Sequence, residues 1–321
     1  MKIIGTGSAL PKKVVNNDML SDFLETSDEW ITTRTGISTR RIITDERFED
    51  LATEAAARAI DAAGLCPDDI DYIVCSNVSN LYITPHLSSI IMGNLGMKGP
   101  VCPTMDVNAA CVGFVQSLDV CDALLATGRA HNILLVAAEE CTRFCDWNDR
   151  NCAVLFGDGA GAVVLTKGNS LISSKITTIP MPDVIVYRNP MEATPFETRE
   201  GIDTHSALVM KGREVFRMAV TSAARDIARV TEDAGLKLED IDHFLLHQAN
   251  LRINEAIREN LRQPQEKFPT NVQRFGNTSS ASIPLLLDEG IREGRIKQGD
   301  TILMSAFGAG FVSGACVWEW E

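Results

Sequence analysis

Cys111 lies in the segment Asp106-Val107-Asn108-Ala109-Ala110-Cys111-Val112-Gly113-Phe114. The residues before it read as the end of a strand. Residues 111 to 127 read as a helix, with Phe114, Leu118, Cys121 and Leu125 near helical spacing and Gly128 as the stop. A thiol at a helix N-terminus meets the positive end of the dipole and unpaired backbone N–H groups, which favours the thiolate and hence nucleophilic, covalent chemistry. Small residues at 109, 110 and 113 leave room for a substrate to approach. The same local pattern also suits one more buried cysteine. His247, in Leu245-Leu246-His247-Gln248-Ala249-Asn250, ends a predicted strand at the sheet edge that carries function in layered α/β proteins. Asn277 sits in Phe275-Gly276-Asn277-Thr278-Ser279-Ser280-Ala281, a small-residue turn leading into a helix. Taken alone, each of these two is equally well read as a hydrogen-bonded structural residue.

The elements that must position these residues occur twice. Ala63-Gly64-Leu65-Cys66-Pro67-Asp68-Asp69-Ile70-Asp71-Tyr72-Ile73-Val74 reappears as Ala234-Gly235-Leu236-Lys237-Leu238-Glu239-Asp240-Ile241-Asp242-His243-Phe244-Leu245. In both copies an Ala-rich helical run stops at a Gly suited to a left-handed C-cap, and an acidic turn and a short apolar strand follow. His247 corresponds to Ser76 of the first copy. A second echo pairs Leu124 to Arg129 with the stretch Ile291 to Arg295, each before an apolar strand. Offsets of about 170 residues are far longer than solenoid periods and point to a duplicated domain. Strands alternating with helices predict an α/β layered fold with mostly parallel sheets in each half. Residues 1–170 would form the half that carries Cys111, and residues 171–321 the half that carries His247 and Asn277. The Gly-rich run Phe156-Gly157-Asp158-Gly159-Ala160-Gly161 precedes an apolar strand-like stretch, whereas a phosphate loop needs a helix there.

With 321 residues and 45% hydrophobic content, the chain is large enough for two packed halves. A net charge of −13 argues against nucleic-acid or anionic-membrane binding, so an acidic partner would need a local basic patch. The first residues lack a basic stretch followed by a long apolar run, and nothing later approaches a membrane span, which predicts a cytoplasmic protein. Nine cysteines without paired close spacing suit reduced thiols, and Cys141 and Cys145 lack the second pair that a zinc site requires.

Four segments together carry a resemblance that runs the whole length: Ser27-Asp28-Glu29-Trp30-Ile31-Thr32-Thr33-Arg34-Thr35-Gly36-Ile37, Ala110 to Phe114, His247 to Asn250, and Gly276-Asn277-Thr278-Ser279. In this order and spacing the chain resembles the β-ketoacyl-acyl carrier protein synthase III family, the initiating condensing enzymes of type II fatty acid synthesis. The resemblance implies a thiolase-like fold, with duplicated βαβαβαββ halves in a five-layered αβαβα sandwich, and a homodimer. It implies an acyltransferase with no cofactor and no metal, acyl-CoA and malonyl-acyl carrier protein being its substrates. Cys111 would take the acyl group from acyl-CoA. His247 and Asn277 would stabilise the enolate formed as malonyl-acyl carrier protein loses carbon dioxide, and the carbanion would attack the acyl-cysteine. The oxyanion hole would be the backbone N–H groups of Cys111 and of the Gly308-Ala309-Gly310 turn. Ala309 departs from the family's three glycines, and its N–H serves only if its φ and ψ suit a residue with a side chain.

The resemblance also places Trp30, Arg34, Thr35 and Arg150 around the nucleotide of CoA, and Gly212, Phe216 and Asn250 along the pantetheine channel. Lys211, Arg213 and Arg252 are candidates for docking an acidic carrier protein, with a solvated helix face as the plain alternative. The family's acyl-tunnel gate, contributed across the dimer interface and commonly Phe, falls on Thr84, which predicts tolerance of primers longer or bulkier than acetyl. Two rival activities remain: acyl transfer in secondary metabolism on the same fold, and a Cys-His thioesterase. Retention of both His247 and Asn277 favours decarboxylative condensation, and a thioesterase gives no reason for the Trp30 segment.

Overall fold

The computed structural model describes residues 1–98, 102–188 and 207–321. Its first sheet has the order β1-β7-β6-β4-β5, with β1 Lys2–Ala9, β4 Tyr72–Ser76, β5 Thr104–Val107, β6 Asn132–Glu140 and β7 Asp158–Thr166. Its second has the order β11-β12-β13-β8, with β8 Leu171–Met181, β11 His243–Leu246, β12 Thr301–Gly308 and β13 Gly310–Glu319. Two small ribbons flank them: β2 Lys13–Asn16 with β3 Thr39–Ile42, and β9 Ile185–Val186 with β10 Val209–Met210.

Three helical layers enclose the sheets. Helices α3 (Phe48–Ala62) and α4 (Leu87–Asn94) cover the outer face of the first sheet through Ala52, Ala55, Ala56, Ala59 and Ile91. Helices α5 (Gly113–Ala126) and α10 (Ser282–Arg292) lie between the sheets. Helices α7 (Gly212–Asp233) and α8 (Leu251–Leu261) cover the outer face of the second. Shorter helices α1 (Asn17–Ser21), α2 (Asp28–Thr35), α6 (Arg150–Ala153) and α9 (Val272–Phe275) gather beside the sandwich around Ile31, Ile37 and Val154. The fold is thus the expected αβαβα sandwich, and the middle layer takes one helix from each half. The apolar positions read as one face of α5, namely Phe114, Leu118, Cys121 and Leu125, are all buried in that central core.

The duplication is preserved in detail. Gly64 and Gly235 end α3 and α7 with φ of +69° and +70°. In each copy an Asp carboxylate then accepts the N–H three residues before it at 2.8 Å, Asp69 from Cys66 and Asp240 from Lys237. Strands β4, β6, β7 and β1 correspond to β11, β12, β13 and β8 in pairing and direction. The entries to α5 and α10 also match: each is a 3-10 turn beginning at a non-glycine residue in the left-handed region, Ala110 at φ +48° and Ser279 at φ +50°.

The expectation of mostly parallel sheets is corrected. Strands β7 and β13 run antiparallel to both neighbours, leaving only β4 with β5 and β6, and β11 with β12, in parallel. Between β12 and β13 only Ala309 intervenes, far too short for the crossover that a parallel pairing needs. The Gly-rich run at 157–161 enters β7, as its apolar continuation implied. Gly161 is there for packing: a Cβ on it would lie 2.8 Å from the Pro284 ring, so its absence lets α10 rest on the sheet.

Candidate active site

Cys111 sits in the 3-10 turn that opens the 14-residue helix α5, at the helix end expected for it. Two glycines set its place. A Cβ on Gly113 would fall 2.0 Å from the Ser76 hydroxyl, and one on Gly308 would fall 2.9 Å from the backbone nitrogen of Cys111. The start of α5 is therefore pressed between the ends of β4 and β12. Burial acts against the helix dipole at this position and pushes the Cys111 thiol up to about 12, with the Ser279 hydroxyl pulling the other way. The resting nucleophile is a thiol, so it needs a proton acceptor before it attacks.

His247 follows β11, its N–H donating to the Ser305 carbonyl at 2.8 Å. The ring is 1% exposed, packs edge-on against Phe307, and has Nδ1 2.7 Å from the Ser282 hydroxyl. Burial lowers its pKa to about 3, so the imidazole is neutral. Asn277 bridges to Phe156, and its Oδ1 accepts the Ser279 N–H at 2.8 Å. That bond fixes the amide so that its NH₂ group is left as a donor.

Cys111, His247 and Asn277 line one cavity of about 440 Å³ together with Gly308 and Ala309. These residues come from both halves and lie far apart in sequence. Among the described non-glycine residues a positive φ occurs only at Ala110, Arg262 and Ser279, so Ala309 occupies ordinary backbone space. Its methyl group is compatible with the turn, which removes the concern raised by the missing glycine.

The same cavity extends past Asn250 to Gly212 and Phe216 at the start of α7. Asn250 caps α8 through a 2.9 Å bond from the Arg252 N–H and donates its amide to the Arg34 carbonyl at 3.2 Å, which joins the cavity mouth to α2. There the Arg34 and Arg150 guanidinium carbons lie 4.5 and 4.9 Å from the Trp30 ring centre, and Arg150 also donates to the Glu25 carbonyl at 2.6 Å. Thr35 differs from its neighbours. It is buried, and its hydroxyl donates to the Ile31 carbonyl and accepts the Ile37 N–H, so it ends α2. Arg252 and Arg213 are exposed near the mouth, whereas the Lys211 ammonium is paired with Asp183. Thr84 is exposed on the loop between β4 and α4 and does not line the Cys111 cavity of its own chain.

A second group of site residues centres on Glu139, which carried no signal in the sequence. Glu139 near the end of β6 is fully buried. Its carboxylate accepts the Val78 N–H at 3.1 Å and the Ser79, Ser280 and Ser279 hydroxyls at 2.7, 2.8 and 3.2 Å. The Ser279 oxygen is in turn 3.4 Å from the Cys111 sulfur. A Glu ending an apolar strand reads as the strand's polar terminus, and only the folded chain brings it to serines 140 residues away. No cluster of three or more potential metal ligands occurs among the described residues.

Comparisons with known proteins give the chain's family. The 3-Oxoacyl-[acyl-carrier-protein (ACP)] synthase III family matches residues 105–179, and its C-terminal counterpart matches residues 231–320. The chain is 42% identical over 314 residues to the β-ketoacyl-[acyl-carrier-protein] synthase III of Aquifex aeolicus, covering 98% of this chain and 97% of the relative. It is likewise 42% identical over 320 residues to the Clostridium perfringens enzyme of the same name, with 98% of each chain covered. Among solved structures, the Aquifex aeolicus enzyme superposes with a TM-score of 0.92 at 39% identity over 99% of both chains. A priming β-ketosynthase of the R1128 polyketide pathway superposes with a TM-score of 0.91 at 33% identity, over 99% of this chain and 96% of that one. The chain belongs to the 3-oxoacyl-[acyl-carrier-protein] synthase III family, the condensing acyltransferases of thiolase-like fold.

Proposed function

We propose that the protein joins an acyl-CoA primer to malonyl-acyl carrier protein, with loss of carbon dioxide, through an acyl-Cys111 intermediate. The observation that carries this is the convergence of a nucleophilic thiol, a neutral imidazole and a carboxamide donor on one cavity that runs past Asn250 to Gly212 and Phe216. Decarboxylation of a malonyl thioester places negative charge on the thioester oxygen. Two neutral, buried donors, His247 Nε2–H and the Asn277 NH₂ group, are suited to hold it. For the tetrahedral intermediates, the N–H groups of Cys111 and Ala309 are the assigned oxyanion donors, each worth about 3 kcal/mol.

Acyl-CoA would enter past Gly212, Phe216 and Asn250. Its adenine would stack on Trp30 and its phosphates would pair with Arg34 and Arg150, in place of the present cation–π contacts. Arg252 and Arg213 would dock the acidic carrier, with Lys211 contributing less because Asp183 already neutralises it. Exposed Leu81, Tyr82 and Ile83 beside Thr84 support a homodimer in which this loop reaches the partner's acyl pocket. The halves would divide at residues 170 and 171, just before β8. No helix among the described residues is long and apolar enough to cross a membrane, and the nine free cysteines suit a reducing, cytoplasmic compartment.

The test is to mix the protein with a panel of acyl-CoAs, with and without malonyl-acyl carrier protein, following protein mass and carrier-bound product. The expected result is an acyl adduct, lost in Cys111→Ser, that discharges into a 3-ketoacyl carrier only when malonyl carrier is added. Hydrolysis to free acid, or transfer to another acceptor with malonyl carrier ignored, refutes the proposal.

A further inference from the structure

The Cys111 thiol must lose its proton, and two groups within the site can be asked to take it. His247 is one. Proton transfer to it would create an imidazolium and a thiolate together in a buried cavity, two new charges where there were none. The other route begins at Ser279, whose oxygen is 3.4 Å from the Cys111 sulfur and 3.2 Å from a Glu139 oxygen.

Every other donor to Glu139 is committed. The Val78 N–H is a backbone amide, which cannot pass a proton on. Ser79 accepts the Glu140 N–H at 2.8 Å, which turns its hydroxyl proton toward the carboxylate. Ser280 holds the oxygen that it shares with Ser279. Ser279 alone faces both the carboxylate and the sulfur. While its single proton is on the Glu139 side, its lone pairs face the Cys111 S–H.

We propose that Glu139, acting through the Ser279 hydroxyl, accepts the Cys111 thiol proton when the acyl-enzyme forms. The S–H proton passes to the Ser279 oxygen as the proton already on Ser279 passes to Glu139. The freed sulfur electron pair forms the new C–S bond to the acyl carbonyl carbon. As the bond from that carbon to the CoA sulfur breaks, the leaving CoA thiolate regains the proton from Glu139 through Ser279, which lines the cavity. One negative charge is present throughout and merely changes place, which a low-dielectric site tolerates far better than a new ion pair. After the first transfer the Ser279 proton points at the thiolate and stabilises it.

The surroundings suit this role. Burial raises the Glu139 carboxyl above its usual range, which brings it closer to the thiol as a proton acceptor. Among the described residues no cation pairs with it. The other titratable groups that feel its charge are Cys75 on β4 and Cys141 beyond β6, both held as thiols by burial. Glu140 is held by Arg143, Asp158 by Thr142 and Ile43, and Asp106 by the start of α4. Glu139 touches no substrate on this reading and is a positioning residue.

The inference rests on the acyl-Cys111 reading, and its test is the pH profile of the thiol. An internal transfer neither takes up nor releases a proton. In the wild-type protein, the single-turnover rates of acylation by acetyl-CoA and of alkylation by iodoacetamide should therefore change less than about threefold between about pH 6.5 and 8.5. In Glu139→Gln and in Ser279→Ala the thiolate must form by loss of a proton to solvent. Both rates should then climb about tenfold per pH unit. Ser279→Ala keeps the backbone bond to Asn277 and guards against a folding defect in the first variant. A steep wild-type profile, or variants that stay flat, overturns the relay. A wild-type protein that takes no acyl group from any acyl-CoA defeats the proposed function instead, while its alkylation profile still decides the relay.

Discussion

The Ser282 hydroxyl, at the first residue of α10, lies 2.7 Å from Nδ1 of His247 and accepts the Gln248 N–H at 3.3 Å. Having no other acceptor among the described residues, it gives its proton to Nδ1, and the ring proton of a neutral His247 then sits on Nε2. Ser282→Ala removes this tautomer control. Discharge of the acyl-enzyme by malonyl-acyl carrier protein should slow by about ten- to a hundredfold, the range of one lost orienting hydrogen bond at 1.5–3 kcal/mol. Acylation by acyl-CoA should be unchanged. Equal losses in both half-reactions, measured by single turnover, would count against the assignment.

A neutral His247 predicts an unusual acid limb. Because burial lowers its pKa to about 3, the imidazole remains uncharged as the pH falls through 6.5, where an ordinary histidine would protonate. Condensation by a pre-acylated enzyme should lose less than about twofold between about pH 7.5 and 5.5, whereas an unshifted histidine would be about nine-tenths charged at the lower value. A tenfold fall centred near 6.5 would show that the ring titrates normally.

Gly113 tests the packing of the nucleophile's helix. Gly113→Ala drives a methyl group into the Ser76 hydroxyl, only 2.0 Å from the required Cβ position. Acylation should fall by about a hundredfold or more, since a displacement of about 1 Å has effects of that order. Adding Ser76→Ala removes the clashing oxygen and should recover most of the loss. Failure of the double variant to recover, with its melting temperature restored, would mean that the glycine serves another purpose.

Ala309→Gly is expected to gain nothing. Position 309 has no positive φ, so glycine adds freedom to the unfolded chain without relieving strain. Stability should drop by about 0.4–1 kcal/mol in denaturant titration, and kcat should stay within about twofold. A clear rise in kcat would show that the methyl group burdens the oxyanion hole.

Much of the architecture was legible because it is local and repeated. Gly64 and Gly235, with Asp69 and Asp240 behind them, state the same helix stop and strand start twice, and the helix after Cys111 declares its buried face at Phe114, Leu118 and Leu125. The positions of Cys111, His247 and Asn277 at element ends were equally plain. Their convergence on one cavity depends on two sheets packing about a shared middle layer, which no local pattern records. Thr35 shows a structural role that its motif does not reveal, because its hydroxyl closes the helix. Glu139, Ser279 and Ser282 stayed hidden since serine and glutamate are ordinary surface residues until tertiary structure buries them against a thiol and an imidazole. Strand direction was the other loss, because apolar runs do not distinguish a parallel from an antiparallel neighbour.

The matched entries to α5 and α10 have a consequence for how the two halves diverged. Through the strand pairings, Leu135 corresponds to Met304, so Glu139 on β6 corresponds to Gly308 on β12. Ala110 and Cys111 correspond in turn to Ser279 and Ser280. The same contact, strand end against helix entry, thus occurs twice with opposite contents. One contact sets a carboxylate against a hydroxyl, with Glu139 on Ser280, and the other sets a bare backbone against the backbone nitrogen of the nucleophile, with Gly308 on Cys111. Any side chain at 308 would press on that nitrogen, 2.9 Å from the required Cβ position, and crowd the start of α5. Duplication let the acidic and the nucleophilic versions of a single joint be kept side by side, with Ser279 spanning the gap between them.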